Sequence, residues 1–296
     1  MKIEITRLNH SGEGIGKLNG KIIFVPKTLP QDIVEVEIIE EHKNYLKGIV
    51  TKFYSKSNKH ISPLCPHYNE CGGCQLMNLE YKEQLEYKKE KVINILNKYT
   101  SLNIDNINIT ASPNQYHYRN KIALQVKNGI IGLFSYNTNN IVEVNSCLLI
   151  SKAMNQVIEI IPKKLNLKDV NQIIIREAKD KLMVQVIGKI EEDNLINVLS
   201  PYVESLYLND KHLIGQEYII DQLGNYEFQV SPKSFFQVNH YQTINLYNQI
   251  KKYLGNNNRN ILDLYCGTGT IGIYVSNCCN KVTGIELNQS SVKDAK

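Results

Sequence analysis

Three cysteines close together in the sequence carry the strongest chemical signal in this chain. Cys65, Cys71 and Cys74 are spaced C-x5-C-x2-C within the segment CPHYNECGGCQ. Gly72 and Gly73 allow the backbone to turn tightly around a group that the thiols hold. Thiolates are the ligands of iron–sulfur clusters, which usually take four of them. The spacing therefore predicts a cluster whose fourth ligand comes from another part of the chain.

The candidate for that fourth ligand is Cys147, in the segment VEVNSCLLI. Zinc is an alternative, because His67 would complete a four-ligand site, although structural zinc usually has two close ligand pairs. A further alternative is that the thiols are not ligands, since a single cysteine is more often a small buried hydrophobe. The residues favour a four-cysteine cluster and leave the other two interpretations open.

A glycine-rich turn in residues 260–272, NILDLYCGTGTIG, is the second signal. Apolar strand residues are followed by Asp263, and then by a GxGxxG turn that includes Gly267 and Gly269 and opens a helix. Glycines allow a ligand to approach the backbone, and free amides at a helix start favour polar or anionic groups. Glu286 closes the next strand, where a carboxylate can accept both hydroxyls of a ribose. A nucleoside-containing ligand is therefore predicted here.

Two such ligands are compatible with the turn, S-adenosylmethionine and a nicotinamide dinucleotide. Asp263 lies four residues before the first glycine, which favours S-adenosylmethionine. The dinucleotide stays open at this point, because GxGxxG alone is weak evidence.

The elements that must position these residues follow from hydrophobic periodicity. Alternation predicts short strands at Lys21–Val25, Asp32–Ile39 and Tyr45–Val50. So many strands in a short span predict a small OB-like β-barrel over residues 1–57, a fold that commonly binds single-stranded nucleic acid. The glycines at positions 12, 14 and 16 are followed by a strand and not by a helix, so they predict a hairpin turn.

The rest of the chain is predicted to form two further domains. Residues 58–225 would form a central α+β domain with the cysteine loop and a charged amphipathic helix over 79–99, which could pack on the domain that follows. Residues 226–296 show a helix from about Asn239 to Leu254 and then the opening of a βαβ unit. The fold class is therefore multidomain and ends in an incomplete Rossmann-like α/β domain.

Composition excludes several classes of protein. With 42% hydrophobic and 21% charged residues, the chain is globular and not disordered. A balance of 34 basic to 29 acidic residues suits an RNA-binding protein without requiring one. The first residues are charged, and no apolar run approaches the roughly 18 residues of a membrane span. A cytoplasmic protein is expected, and clustered thiols there indicate metal binding or catalysis.

Three segments, CPHYNECGGCQ, SPKSFFQVN and ILDLYCGTGTIG, occur in the order typical of one family. In them the chain resembles the RNA uracil-5 methyltransferases, which transfer a methyl group from S-adenosylmethionine to C5 of a uridine. It is most similar to the iron–sulfur branch that acts on 23S ribosomal RNA. That branch has an N-terminal TRAM barrel, a central domain with a [4Fe-4S] cluster, and a Rossmann-like methyltransferase domain. The resemblance implies an RNA partner, no membrane, and a monomer when the protein is complete.

The resemblance also implies roles for individual residues. The cluster ligands would be Cys65, Cys71, Cys74 and Cys147. The residues that bind the methyl donor would be Gln237, Tyr265, Gly267, Gly269 and Glu286. Phe235 would lie close to the target base, with a core position as its alternative. The segment NQYHYRNK interleaves aromatics and cations as an RNA surface would, or forms a structural turn, and its candidate residues are Tyr116, Tyr118, Arg119 and Lys121.

The family's reaction needs two more groups, a cysteine that adds to C6 of uracil and a base that removes the C5 proton. The resemblance places both after Lys296, so the chain is expected to be part of a longer protein, inactive alone, with an exposed sheet edge. Cys266, Cys278 and Cys279 are expected to pack and not to react. Alternative functions are the same reaction on tRNA, a non-catalytic RNA-binding iron–sulfur protein, and a nicotinamide-dependent oxidoreductase.

Overall fold

The structure is a computed structural model that describes residues 1–255 and 259–296. Two compact units can be distinguished in it. The first comprises Met1–Ala111 with Phe134–Asn139, and the second comprises Ser112–Leu133 with Asn140–Lys296. The domain boundaries at positions 57 and 225 remain predictions from the sequence. None of the helices in the described ranges combines the length and the apolar character that crossing a bilayer requires.

The first unit begins with the predicted barrel, whose five strands close in the order β1-β2-β3-β5-β4. The strands are β1 (Lys2–Leu8), β2 (Gly14–Leu18), β3 (Lys21–Val25), β4 (Ile33–Glu41) and β5 (Tyr45–Ser55). Alternation directs Ile5, Ile23 and Val34 into a fully buried core. The predicted hairpin turn is confirmed, because β1 and β2 pair antiparallel. Gly14, the first residue of β2, must be a glycine, since a Cβ at this position would lie 2.0 Å from Thr28 Oγ1.

The cysteine loop and a long helix complete the first unit. The helix α1 (Tyr81–Tyr99) has no fully buried residue, as its alternating Glu and Lys predict. It is attached to the turn between β1 and β2, where Tyr87 Oη donates to the Asn9 carbonyl at 2.6 Å. Lys91 Nζ donates to the His10 carbonyl at 2.8 Å.

A seven-stranded sheet in the order β12-β11-β10-β9-β6-β7-β8 is the main element of the second unit. Its strands are β6 (Lys121–Lys127), β7 (Ile130–Phe134), β8 (Ile141–Glu143), β9 (Val170–Ala178), β10 (Lys181–Gly188), β11 (Ser205–Leu208) and β12 (Lys211–Gly215). Two helices, α2 (Lys152–Lys164) and α3 (Glu192–Leu199), pack against the sheet. Ile158 of α2 and Ile173 of β9 are fully buried in the shared core.

The end of the chain contains the predicted opening of a βαβ unit. Its elements are β13 (Ile219–Leu223), β14 (Tyr226–Val230), α4 (His240–Leu254), β15 (Asn260–Leu264), α5 (Thr270–Tyr274), β16 (Lys281–Ile285) and α6 (Gln289–Asp294), with a 3-10 turn at Ser276–Cys278. The strands β13 and β14 form a hairpin, whereas β15 and β16 pair in parallel. Leu262 and Leu264 of β15 are 58% and 55% exposed, so one face of this strand is open.

Candidate functional site

The glycine turn between β15 and α5 has an unusual backbone. Tyr265, Gly267 and Gly269 have φ values of +58°, +57° and +71°. The left-handed region is natural for glycine but uncommon for tyrosine, and Tyr265 is also 91% exposed. An exposed aromatic residue in a strained conformation is typical of ligand-binding positions.

Asp263 and Gly272 hold this turn against the two parallel strands. Asp263 Oδ2 accepts the Gly272 N–H at 3.1 Å. A Cβ at Gly272 would lie 2.9 Å from Val282 Cγ1, so only glycine lets α5 approach β16 this closely. The position of Asp263, four residues before the first glycine, was singled out from the sequence. In the structure this residue holds the glycine turn in place.

Glu286 lies beside the same turn, as the sequence predicts. Its Oε2 accepts the Gly267 N–H at 2.8 Å, and its Oε1 accepts the N–H groups of Leu287 and Asn288 at 2.8 and 2.7 Å. The hydrogen bonds from Asn288 and Gly267 lower the pKa of this carboxyl, so it is ionised at neutral pH. An ionised carboxylate at this position is suited to accept hydroxyl groups from a nucleoside.

Two further observations describe the space around the turn. A Cβ at Gly267 would meet no atom within 4 Å, so the backbone there is open to a ligand. Thr268 Oγ1 is buried and has no hydrogen-bond partner, which is uncommon for a buried hydroxyl. The open backbone, the carboxylate and the unpaired hydroxyl together fit a polar, nucleoside-bearing molecule.

The segment SPKSFFQVN, residues 231–239, forms the loop between β14 and α4. Phe236 is buried and packs against Phe228 with ring centroids 6.1 Å apart, whereas Phe235 is 68% exposed. Gln237 is half-buried, and its carbonyl accepts the Asn120 side chain at 3.0 Å. The alternative that Phe235 is a core residue is therefore wrong, because its neighbour occupies the core.

Asp294, at the end of α6, contacts this loop, and sequence reasoning missed it. Ser231 donates to Asp294 through its hydroxyl at 2.6 Å and through its N–H at 3.0 Å. The Ser234 hydroxyl also donates to Asp294, and the Ser234 carbonyl accepts from Arg176. No local pattern indicates these contacts, because the partners lie about 60 residues apart in the chain.

Part of the segment NQYHYRNK lies next to this loop. The backbone of Arg119 forms isolated β-bridges with Ile150 and with Asn239. The Asn120 N–H donates to the Val238 carbonyl at 3.0 Å. Both interpretations of the segment thus have support, because it is a structural connection that also borders a cleft.

The cleft has a volume of about 590 Å³ and a lining of mixed charge. Residues that line it include Tyr118, Arg119, Lys179, His240 and Tyr241. His240 Nδ1 lies 3.5 Å from Oδ1 of the buried Asp221, and this contact raises the pKa of His240. Protonation of His240 is therefore favoured and adds positive charge to the cleft.

The other two residues predicted to bind RNA lie elsewhere in the second unit. Tyr116 is half-buried in the irregular segment before β6. Lys121 is half-buried beside Arg176, and burial lowers its pKa, followed by the effect of that neighbouring cation. Neither is among the residues that line the cleft.

The structure does not show the metal centre that was predicted at the cysteine loop. In the described part of the chain, no group of three or more His, Cys, Asp or Glu side chains is arranged to hold a metal ion. Cys71 is buried and its Sγ accepts the Gly73 N–H at 3.3 Å, while Cys65 and Cys74 are half-buried. The predicted ligand set is therefore not confirmed and stays a prediction from the sequence.

Polar contacts close the cysteine loop instead. Lys27 donates to the Tyr68 carbonyl, and Tyr68 Oη donates to Asn78 Oδ1 at 2.8 Å. Burial lowers the pKa of Lys27, whereas nearby Cys71 and Cys74 act to raise it. The loop is thus held by hydrogen bonds, one of them from the half-buried Lys27.

The remaining cysteines belong to the second unit. Cys147 is half-buried beside the sheet core, and Asn155 bonds both its N–H and its carbonyl, at 2.7 and 3.0 Å. Burial raises the pKa of the Cys266 thiol, with further contributions from Asp263 and Glu286. Cys266 is therefore a poor thiolate nucleophile, as the sequence predicts. Cys278 is buried and packs.

Comparison with known proteins gives consistent matches. Residues 1–51 match the model of the TRAM domain, and residues 166–296 match that of the tRNA (uracil-5-)-methyltransferase family. An RNA methyltransferase of Clostridium tetani is 32% identical, with 99% of this chain and 72% of the relative covered. One of Staphylococcus aureus is also 32% identical, with 99% and 74% covered.

A solved structure has the same fold along the whole chain. The tRNA (uracil-54, C5)-methyltransferase of Pyrococcus abyssi, in complex with S-adenosyl-L-homocysteine, is 26% identical with a TM-score of 0.78. The match covers 100% of this chain and 75% of that protein. The chain therefore belongs to the RNA uracil-5 methyltransferases and carries an N-terminal TRAM domain.

Proposed function

We propose that the protein methylates C5 of a uridine in RNA and takes the methyl group from S-adenosylmethionine. The observation that carries this proposal is the contact of Glu286 with Gly267 at an open, left-handed glycine turn. Family membership and the S-adenosyl-L-homocysteine complex of the P. abyssi protein support the choice of the methyl donor over a nicotinamide dinucleotide.

Five residues are assigned to the donor. Glu286 would accept the ribose hydroxyls, because its pKa is lowered and its carboxylate is oriented by three backbone N–H groups. Gly267 and Gly269 allow close approach, and Tyr265 presents its exposed ring. Gln237 is assigned to the donor on the family resemblance of the segment SPKSFFQVN alone. When bound, the donor supplies an electrophilic methyl group.

The RNA is assigned to the exposed side of the same unit. Phe235 is 68% exposed at the tip of its loop, so its ring is available to stack on an unpaired base. Arg119 and Lys179 supply cations in this cleft of mixed charge, and Tyr241 supplies a second exposed aromatic ring. Cations for phosphates and aromatic rings for bases are the usual means of binding single-stranded RNA.

Uracil C5 is a weak nucleophile until a group adds to C6, so a nucleophile and a base are also needed. Among the described cysteines, Cys266 lies beside the donor turn, but its raised thiol pKa disfavours the thiolate form that this addition needs. Asp263 is already engaged by the Gly272 N–H and holds the turn. The residues assigned above therefore bind and orient the reactants.

Binding and methyl transfer test this proposal directly. Titration calorimetry on the protein should show binding of S-adenosylhomocysteine and none of NADH. The Glu286→Gln variant should bind S-adenosylhomocysteine more weakly because it loses the negative charge that strengthens hydrogen bonds to hydroxyls, by about 1 kcal/mol or more and hence fivefold or more. The matched control is Glu159→Gln, which changes an exposed carboxylate on α2 that pairs with Lys163. Affinity for NADH alone would contradict the proposal.

The RNA substrate is proposed to be 23S ribosomal RNA, on the ground of the motif CPHYNECGGCQ. A specific observation favours tRNA as the alternative, because the P. abyssi protein of the same fold is a tRNA enzyme. Incubation with labelled S-adenosylmethionine and either RNA transcript, followed by mapping of 5-methyluridine, decides between them. Label in tRNA only would contradict the ribosomal assignment.

The [4Fe-4S] cluster rests on the sequence spacing of Cys65, Cys71, Cys74 and Cys147 alone. Iron and sulfide analysis of anaerobically purified protein is the test, with Cys278→Ser as the control. If the spacing is a ligand set, iron is present in the wild type and lost in Cys74→Ser. Iron-free wild-type protein would contradict the cluster.

A further inference from the structure

The two ends of α6 are attached to two different functional segments. At its start, Glu286 accepts the N–H groups of Leu287 and Asn288, and Asn288 caps the helix by accepting the Ser291 N–H at 3.1 Å. The same carboxylate accepts the Gly267 N–H of the glycine turn. The start of α6 is therefore fixed by the residue assigned to the ribose of the methyl donor.

At the end of α6, Asp294 accepts three hydrogen bonds from the loop that carries Phe235 and Gln237. The donors are the hydroxyl and N–H of Ser231 and the hydroxyl of Ser234. Ser234 is fully buried, so its contact with the carboxylate is shielded from water. Since α6 has six residues and rises about 9 Å, it directly connects these two attachment points.

A buried cation stabilises this second attachment. Arg176 is only 5% exposed and donates to the Ser234 carbonyl, and its Nε has no hydrogen-bond partner. Burial lowers its pKa to about 10, while the Asp294 carboxylate acts to raise it. Arg176 is thus cationic at neutral pH, and Asp294 provides the opposite charge that a buried guanidinium requires. The two residues therefore act together on the loop.

The other end of the loop is attached to the seven-stranded sheet. Asn120 donates through its side chain to the Gln237 carbonyl and through its N–H to the Val238 carbonyl, both at 3.0 Å. Between these attachments the buried ring of Phe236 anchors the backbone and the exposed ring of Phe235 faces solvent. The orientation of Phe235 therefore depends on contacts from both sides, and Asp294 provides the one that leads to the donor turn.

We propose that Asp294 is a positioning residue that couples the methyl-donor site to the RNA-contacting loop, an inference that rests on the function proposed above. A donor bound at Glu286 adds hydrogen bonds to a carboxylate that three N–H groups already orient, and so restrains the start of α6 further. Asp294 passes this added restraint to Ser231 and Ser234. The loop is then ordered before RNA arrives, so RNA binding loses less conformational entropy. By linkage, each ligand must tighten the binding of the other by the same factor.

The test is a measurement of RNA affinity with and without saturating S-adenosylhomocysteine, at fixed salt, by fluorescence anisotropy. The probe is whichever labelled transcript, 23S ribosomal RNA or tRNA, the protein methylates. For the wild type, S-adenosylhomocysteine should lower the Kd for RNA by about fivefold or more. In Asp294→Asn this ratio should fall to about one, because the asparagine amide no longer offers two anionic acceptors.

Two further variants separate coupling from general damage to the fold. Ser234→Ala removes one donor to Asp294 with a minimal change of volume, and it should also lower the ratio. Asp210→Asn, in the turn between β11 and β12, breaks the exposed 2.8 Å ion pair of Asp210 with Lys233 of the loop, and it should keep the wild-type ratio. A lower melting temperature alone would not move a ratio of two affinities measured on the same variant.

The outcomes distinguish this inference from the proposed function. A wild-type ratio of one, or an unchanged ratio in both Asp294→Asn and Ser234→Ala, overturns the coupling while S-adenosylhomocysteine binding stands. Failure of the wild type to bind S-adenosylhomocysteine overturns the proposed function itself.

Discussion

Substitution of Gly272 by alanine tests the packing that holds the glycine turn. The new Cβ would lie 2.9 Å from Val282 Cγ1 and 3.2 Å from Asp263 Oδ2. Overpacking of this kind costs typically about 2 kcal/mol, and the better helix propensity of alanine returns up to about 1 kcal/mol. We therefore expect a net loss of about 1 kcal/mol in the free energy of unfolding, which lowers Tm by about 2–4 °C in a unit of this size.

A second substitution, at Val282, can relieve the clash, and comparison of the two backgrounds tests the packing. Val282→Ala removes the Cγ1 atom that the new Cβ approaches. In that background Gly272→Ala should become neutral or stabilising, because only the contact with Asp263 and the helix propensity remain. The assay is thermal unfolding of the wild type, the two single variants and the double variant. Equal costs of Gly272→Ala in both backgrounds would refute the proposed packing of α5 on β16.

Three further predictions concern the site. Cys266→Ala should retain methyl transfer to RNA, since burial raises the pKa of this thiol, and a loss of more than tenfold in kcat would contradict that. RNA affinity should decrease as the pH rises through the raised pKa of His240, because the cation is present below that pKa and lost above it. Asp221→Asn should move this decrease to lower pH, and a binding curve without pH dependence would contradict the assignment. Phe235→Ala should weaken RNA binding by about 1–3 kcal/mol with unchanged Tm, as stacking is lost from an exposed side chain. The control Tyr253→Ala, at an 82% exposed aromatic residue, should bind RNA like the wild type.

The sequence predicts those features that depend on neighbouring residues. Alternation predicted three of the five strands of the barrel, β3 to β5, and the barrel closes as expected. Hydrophobic periodicity predicted a helix from about Asn239 to Leu254. The observed helix α4 (His240–Leu254) begins one residue later and ends at the same residue. Glycine spacing predicted the turn beside Glu286, because the left-handed backbone at Gly267 and Gly269 is intrinsic to glycine.

Features that depend on distant contacts were not accessible from the sequence. Phe235 and Phe236 are adjacent and identical in type, and which ring is buried depends on the core cluster, Phe228 included, that the fold assembles around Phe236. Asp294 carries no local signal, since its partners are brought to it by the fold. The cysteine spacing indicated a ligand set, but the described loop is closed by hydrogen bonds from Lys27 and Tyr68.

The contacts of Glu286 have a consequence for selectivity. Three backbone N–H groups already occupy this carboxylate, so it is locked in one rotamer before any nucleoside arrives. A rigid acceptor discriminates by geometry, because a sugar whose hydroxyls are misplaced cannot draw the side chain toward itself. Deoxyribose analogues, which lack one hydroxyl, would leave an ionised oxygen without its new partner and should be rejected at this step.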